Sequence, residues 1–293
     1  YTSTTEIDLA SYWSSAPGSF NVNGIQNDGT LNVTGSFTVT GSNSHVYNLG
    51  VLNVTGSSTI TQLTDEGTST FTGSAAITER DGAGNINLLS SSSIDTLNGA
   101  GTVDIASGKT LTVKDGSNSG SITGAGNVEK TNSGTLTLSG TGASNYTGTT
   151  LVSDGIITFV ENATHAASVT NNATLNYSGN ATFTTGLTGS GTTNVTGTSN
   201  IASLTGSGTT NLTGAADVTT FNGTSAAQLN LSSSSNVHTL NGSGSVNIAS
   251  TKTLTIDSGS NSGSITGAGN VTKATAGELV LSGTSSYGNT TVS

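Results

Sequence analysis

The chain of 293 residues contains no cysteine, no methionine and only one proline. Without thiols there is neither a disulfide framework nor a thiolate metal site, so stability must come from packing alone. Charged residues make up 8% and aromatics 4%, and the six Lys and Arg leave a net charge of −10. So few cations exclude the basic patches that nucleic acid or anionic lipid requires, and no nucleic-acid partner is expected. No stretch reads as a signal peptide or as an apolar run of membrane-spanning length. The first residue is Tyr1 rather than Met, which predicts a processed or excised chain. Disorder requires low hydrophobicity and usually high net charge. Here the charge is spread thinly and Val, Ile and Thr are plentiful, which favours pleated strands.

What the sequence has in abundance is repetition. Leu97 to Leu138 reads LNGAGTVDIASGKTLTVKDGSNSGSITGAGNVEKTNSGTLTL, and Leu240 to Leu281 reads LNGSGSVNIASTKTLTIDSGSNSGSITGAGNVTKATAGELVL, an ungapped offset of 240 − 97 = 143 residues. Upstream the match continues with small indels: Leu63 corresponds to Leu204, and Thr30-Leu31-Asn32-Val33 aligns loosely with Thr174-Leu175-Asn176-Tyr177. The pattern predicts a β-helix module over 21–160, a second over 161–293, and a cap or junction over 1–20, which holds the only tryptophan, Trp13, and the only proline, Pro17. The second copy stops at Ser293 where the first runs on through Asp154-Gly155-Ile156-Ile157, which predicts a longer parent array.

Shorter units recur inside each copy. GTLNVTG at Gly29, GVLNVTG at Gly50, GTTNVTG at Gly191 and GTTNLTG at Gly208 are close variants, each with period-two alternation. A short strand every 17 to 25 residues fits a sandwich or a solenoid. Tight two-residue hairpins are not the dominant pattern, whereas near-identical strands at near-constant spacing stack in parallel, with Asn, Ser and Thr laddering along the stack. The expectation is an all-β, parallel β-helix. With strands of successive coils about 4.8 Å apart, some 15 coils would make a rod roughly 70 Å long. One coil cannot bury its own face, so each depends on its neighbours.

The stretch Gly124-Ala125-Gly126-Asn127-Val128-Glu129-Lys130, then Ser133-Gly134-Thr135-Leu136-Thr137-Leu138-Ser139-Gly140, then Tyr146 within Asn145 to Thr150, resembles the passenger-associated repeat of bacterial autotransporters. The second copy matches through Gly267, Gly269, Val271, Lys273, Gly277, Leu279, Leu281, Ser282, Gly283 and Tyr287, and departs at Glu278 and Val280 with a shorter turn. The resemblance implies a right-handed parallel β-helix, secreted to the surface of a Gram-negative cell with the help of an outer-membrane β-barrel translocator. No such barrel is visible in these residues, so it would lie beyond Ser293, be a separate chain, or not exist.

Isolated polar residues offer little chemistry. Asp65 and Glu66 suit an acid–base pair or a calcium site, or else a solvated turn; adjacent strand residues point to opposite faces, which favours the turn. Their counterparts in the second copy are Gly206 and Ser207. Glu79-Arg80-Asp81 reads as a surface ion-pair loop in preference to a site for an acidic or sugar ligand, and aligns with Thr220-Phe221-Asn222. His45, His165 and His238 read as isolated residues without nearby acidic partners, which makes neither a zinc site nor a triad. Lys109/Lys252 and Lys130/Lys273 recur in both copies and read as exposed charges that break up the polar surface rather than as a ligand groove. Asn-x-Ser/Thr triplets at Asn32, Asn53, Asn194 and Asn211 are those chance provides in such a composition. No catalytic, metal or cofactor site is expected.

Three functions remain in view. The leading one is a secreted structural or adhesive rod segment of an adhesin, extracellular fibre or matrix, self-associating end to end or laterally. The alternative is a polysaccharide- or ice-binding module using outward Thr, Asn and Ser ladders, such as Thr135/Thr137 and Thr253/Thr255, with a host or matrix glycan as partner. A polysaccharide-degrading β-helix ranks last, for want of convergent carboxylates.

Overall fold

The computed structural model describes residues 24–142 and 145–293, together with the backbone of Thr4–Glu6. It divides into two compact units, Tyr1–Gly148 and Thr149–Ser293. Among the described residues there is no helix, and the strand ladders are parallel. Each unit is a β-solenoid, as the spacing of the short strands predicts. Thr4–Glu6 pairs with Thr30–Asn32; the rest of the expected cap, with Trp13 and Pro17, lies outside the described residues.

In the first unit one wall is a seven-stranded sheet: Thr4–Glu6, Thr30–Val33, Val51–Val54, Thr68–Phe71, Asn85–Leu88, Thr102–Ile105 and Ile122–Gly124. The register is in step, so equivalent side chains stack. Leu31, Leu52, Ser69, Ile86, Val103 and Ile122 form one inward column, and Val33, Val54, Phe71, Leu88 and Ile105 form the next. The Leu-Asn-Val alternation that marks these strands in the sequence therefore becomes two inward columns, aliphatic except at Ser69 and Phe71. Their burial is worth about 25 cal/mol for each Å² of apolar surface removed from water.

The opposite wall turns a corner. Ser58–Asp65 pairs with Phe37–Val39 through its first half and with His45–Asn48 through its second. Ile60 and Leu63 both face inward, so the period of two slips by one residue at the bend. The same three-residue step recurs at Ile77/Arg80 and Ile94/Leu97. One coil after another bends at the same place, which keeps the ladders aligned.

The second unit repeats this plan. Ile156–Phe159, Thr174–Tyr177, Thr192–Val195, Thr209–Leu212, Gln228–Leu231, Ser245–Ile248 and Ile265–Gly267 stack in register. Outside them runs an amide ladder: Asn194 Nδ2 donates to Asn176 Oδ1 at 2.8 Å, Asn211 to Asn194 at 2.7 Å and Asn230 to Asn211 at 2.7 Å. The corner step recurs at Ile201/Leu204, Val218/Phe221 and Val237/Leu240.

Candidate functional site

The residues that carry the family resemblance hold the coils together. Gly124 and Gly267 have φ of +93° and +103°, and a Cβ there would lie 2.2 Å from Ile105 O and 2.1 Å from Ile248 O. Only glycine relieves both the left-handed backbone and the close approach. Gly126 and Gly269 sit against the Ile105 and Ile248 side chains, Gly134 and Gly277 against those of Asp115 and Ser258, and Gly140 and Gly283 against the preceding coil's backbone. Leu136, Leu138 and Tyr146 are buried. Their counterparts Leu279, Leu281 and Tyr287 are half-buried.

Lys130 and Lys273 are not exposed charges. Lys130 is 0% and Lys273 9% exposed. The Lys130 ammonium donates to Thr131 O and Asn132 O, both at 2.7 Å, and Lys273 Nζ donates to Thr275 O. Each lysine therefore closes a turn from within, satisfying carbonyls that the strand leaves behind. Alternation already pointed there: Val128 and Val271 face inward, and the lysines follow two residues later. Lys109 and Lys252 are half-buried.

Arg80 overturns the surface-loop reading of Glu79-Arg80-Asp81. Glu79 and Asp81 reach the surface, but Arg80 is 0% exposed, stacked between Leu63 and Leu97. Its NH1 donates to Asn98 O at 2.9 Å and its NH2 to Gly84 O at 2.8 Å, while Nε has no partner. The phase slip at the corner is the missed signal, because Ile77 to Arg80 repeats the step from Ile60 to Leu63. Asp65 likewise is no solvated turn residue: it is 0% exposed while Glu66 is exposed. Asp65 Oδ1 accepts from Asn48 Nδ2 at 2.7 Å and from Ser69 Oγ at 2.9 Å, and Asn27 Nδ2 in turn donates to Asn48 Oδ1 at 2.7 Å. Burial raises the Asp65 carboxyl; the bonds from Asn48 and Ser69 and the Arg80 charge oppose it. Burial also lowers Arg80, against the pull of Asp65.

The histidines differ from one another, and one contradicts the expectation of isolation. His238 Nδ1 lies 2.6 Å from Asp257 Oδ2, and its Nε2 lies 2.8 Å from Asp217 Oδ1. His165 is buried, with Nε2 2.7 Å from Tyr177 OH, in a ring cluster with Phe159, Tyr177 and Phe183. Burial pushes its pKa down to about 4. His45 Nε2 meets Thr64 Oγ1 at 2.8 Å. Among the described residues no group of three or more His, Cys, Asp or Glu side chains is arranged to hold a metal ion.

The first unit also has a groove of about 490 Å³. It is lined by Ser57, Ser74 and Ser91, by Thr59, Ala76 and Ser93, and by Thr112 and Glu129, its one carboxylate. Short side chains on successive coils leave this trough open. In the second unit the counterparts of Thr59, Ala76 and Ser93 are Asn200, Asp217 and Asn236, which stack in register and carry longer side chains. No protein-family model matches the chain, and neither a curated protein nor a solved structure is similar enough to count as a match.

Proposed function

We propose that the chain is a structural and adhesive segment of a secreted bacterial surface protein, a β-helical rod without catalytic activity. One observation carries the reading: the buried charged side chains are used to close turns and to tie neighbouring coils. Arg80, Lys130 and Lys273 donate to backbone carbonyls, Asp65 closes an internal amide chain, and Lys114 pairs with Asp95 across a coil at 2.7 Å. Such a scaffold suits an adhesin, fibre or matrix component at the surface of a Gram-negative cell. In that setting an outer-membrane β-barrel would serve as translocator, and copies would associate end to end or laterally. Negative-stain microscopy of the secreted parent should show rods or filaments; compact spheres would defeat the reading.

The groove favours a second reading, a module that binds an extended glycan. Hydroxyls at one-coil intervals offer donors and acceptors to sugar hydroxyls along a chain, and one carboxylate is too few for the paired acid–base work of glycoside hydrolysis. Binding on a glycan array, lost when Ser74 is replaced by Leu, supports it. A blank array, together with no thermal hysteresis in ice, removes the binding readings.

A further inference from the structure

We propose that Asp217, His238 and Asp257 form a pH-responsive staple, tying three successive coils of the second unit while the imidazole is protonated and releasing them when it is not. The three residues come from consecutive rungs of one ladder. Ala216–Gly223 pairs with Ser235–Gly242, which pairs with Thr253–Asn261. His238 in the middle rung reaches Asp217 on one side and Asp257 on the other.

The geometry itself demands the charge. Both ring nitrogens face carboxylate oxygens, at 2.6 and 2.8 Å. A neutral imidazole has one N–H, so its other nitrogen would set a lone pair against an oxygen anion. Only the imidazolium donates to both. The charged groups facing it are Asp217 from one neighbouring strand and Asp257 from the other; its own strand, Ser235–Gly242, carries no other titratable residue. The hydrogen bond to Asp257 raises its pKa above 6.5, partial desolvation opposes this, and Asp217 adds to the rise. The side chain is 44% exposed, so protons exchange with solvent without any opening of the coil.

The first unit supplies the contrast. Residues 95 and 114, each 143 before His238 and Asp257, are Asp95 and Lys114, bonded at 2.7 Å with the sign reversed. The first unit thus has a lysine–carboxylate tie where the second has an imidazole between two carboxylates.

The test uses the full chain, with NMR titration of the histidines and amide hydrogen exchange at pH 6 and pH 9. His238 should titrate above 6.5, and Asp257→Asn should bring its midpoint down. Protection of Ser235–Gly242 should fall several-fold more between the two pH values than protection of Thr110–Asn118, after correction for intrinsic rates. His238→Lys should keep that protection at pH 9. A midpoint at or below 6.5, a midpoint unmoved by Asp257→Asn, or equal loss of protection in both strands overturns the proposal. Loss at pH 9 in the His238→Lys chain overturns it too.

Discussion

One core position is built in opposite ways in the two units. In the first, Arg80 stands between Leu63 and Leu97, and its guanidinium reaches toward Gly101, where an added Cβ would lie 2.2 Å from NH2. In the second, Phe221 stands between Leu204 and Leu240, and its ring reaches toward Gly244, where a Cβ would lie 2.8 Å from the ring. The pocket is equivalent and the glycine is kept, but the filling is a cation in one unit and a hydrocarbon in the other. The cation brings company: buried Asp65 lies in the first unit where the second has Gly206. A solenoid core thus accepts a charge when carbonyls close to the corner satisfy it and an opposite charge shares the interior. A ring needs neither condition.

The strongest test of that comparison is to remove half of it. Arg80→Ala empties the space between Leu63 and Leu97, leaves Asn98 O and Gly84 O without their donor, and should cost about 2–5 kcal/mol in equilibrium denaturation. The double change Asp65→Gly with Arg80→Phe copies the second unit and should recover most of that loss. Arg80→Phe alone matching the double variant in stability would show that the two charges are not coupled.

Next in size is an acid effect confined to the second unit. His165 has its pKa lowered to about 4 by burial, so the unfolded chain takes up a proton first as the pH falls. Stability present above pH 6.5 is lost as the pH falls from there to about 4, by about 3 kcal/mol. Denaturation followed at the aromatic cluster should show this slope, and His165→Phe should flatten it. The Asp217–His238–Asp257 tie works in the other direction, with stability present at and below pH 6.5 and lost as the pH rises through the raised value.

Steric tests are smaller. Gly101→Ala places a Cβ 1.9 Å from Gly84 O and 2.2 Å from the guanidinium of Arg80, and should cost about 1–3 kcal/mol of stability. Gly35→Ala, with nothing within 4 Å of the added Cβ, should change the denaturation midpoint by no more than about 0.5 kcal/mol. The smallest effect belongs to the surface. Lys114→Ala breaks the pair with Asp95, whose side chains are 44% and 32% exposed, and should cost less than about 1 kcal/mol, less still in high salt.

Most of the fold was legible in the residue pattern, and the candidate site was legible only in part. Leu31-Asn32-Val33 and its repeats announce strands with two inward residues, and near-equal spacing announces parallel stacking; both hold in the register. The buried lysines were readable too, since Lys130 falls two residues after Val128. Residue type and phase disagree there: a charge by type suggests the surface, while its place in the alternation points inward. Arg80 was harder, because the inward phase shifts by one at the corner between Ile77 and Arg80. His238 was harder still, since its partners lie 19 and 21 residues away and meet it only once coil lengths are known.

The sequence alone determined that this is an all-β parallel stack, because period-two alternation and regular spacing are local properties that each coil repeats. Only the tertiary structure decided which charges lie inside and which acids face His238. Those contacts join residues a whole coil apart, and their alignment depends on how many residues each corner consumes.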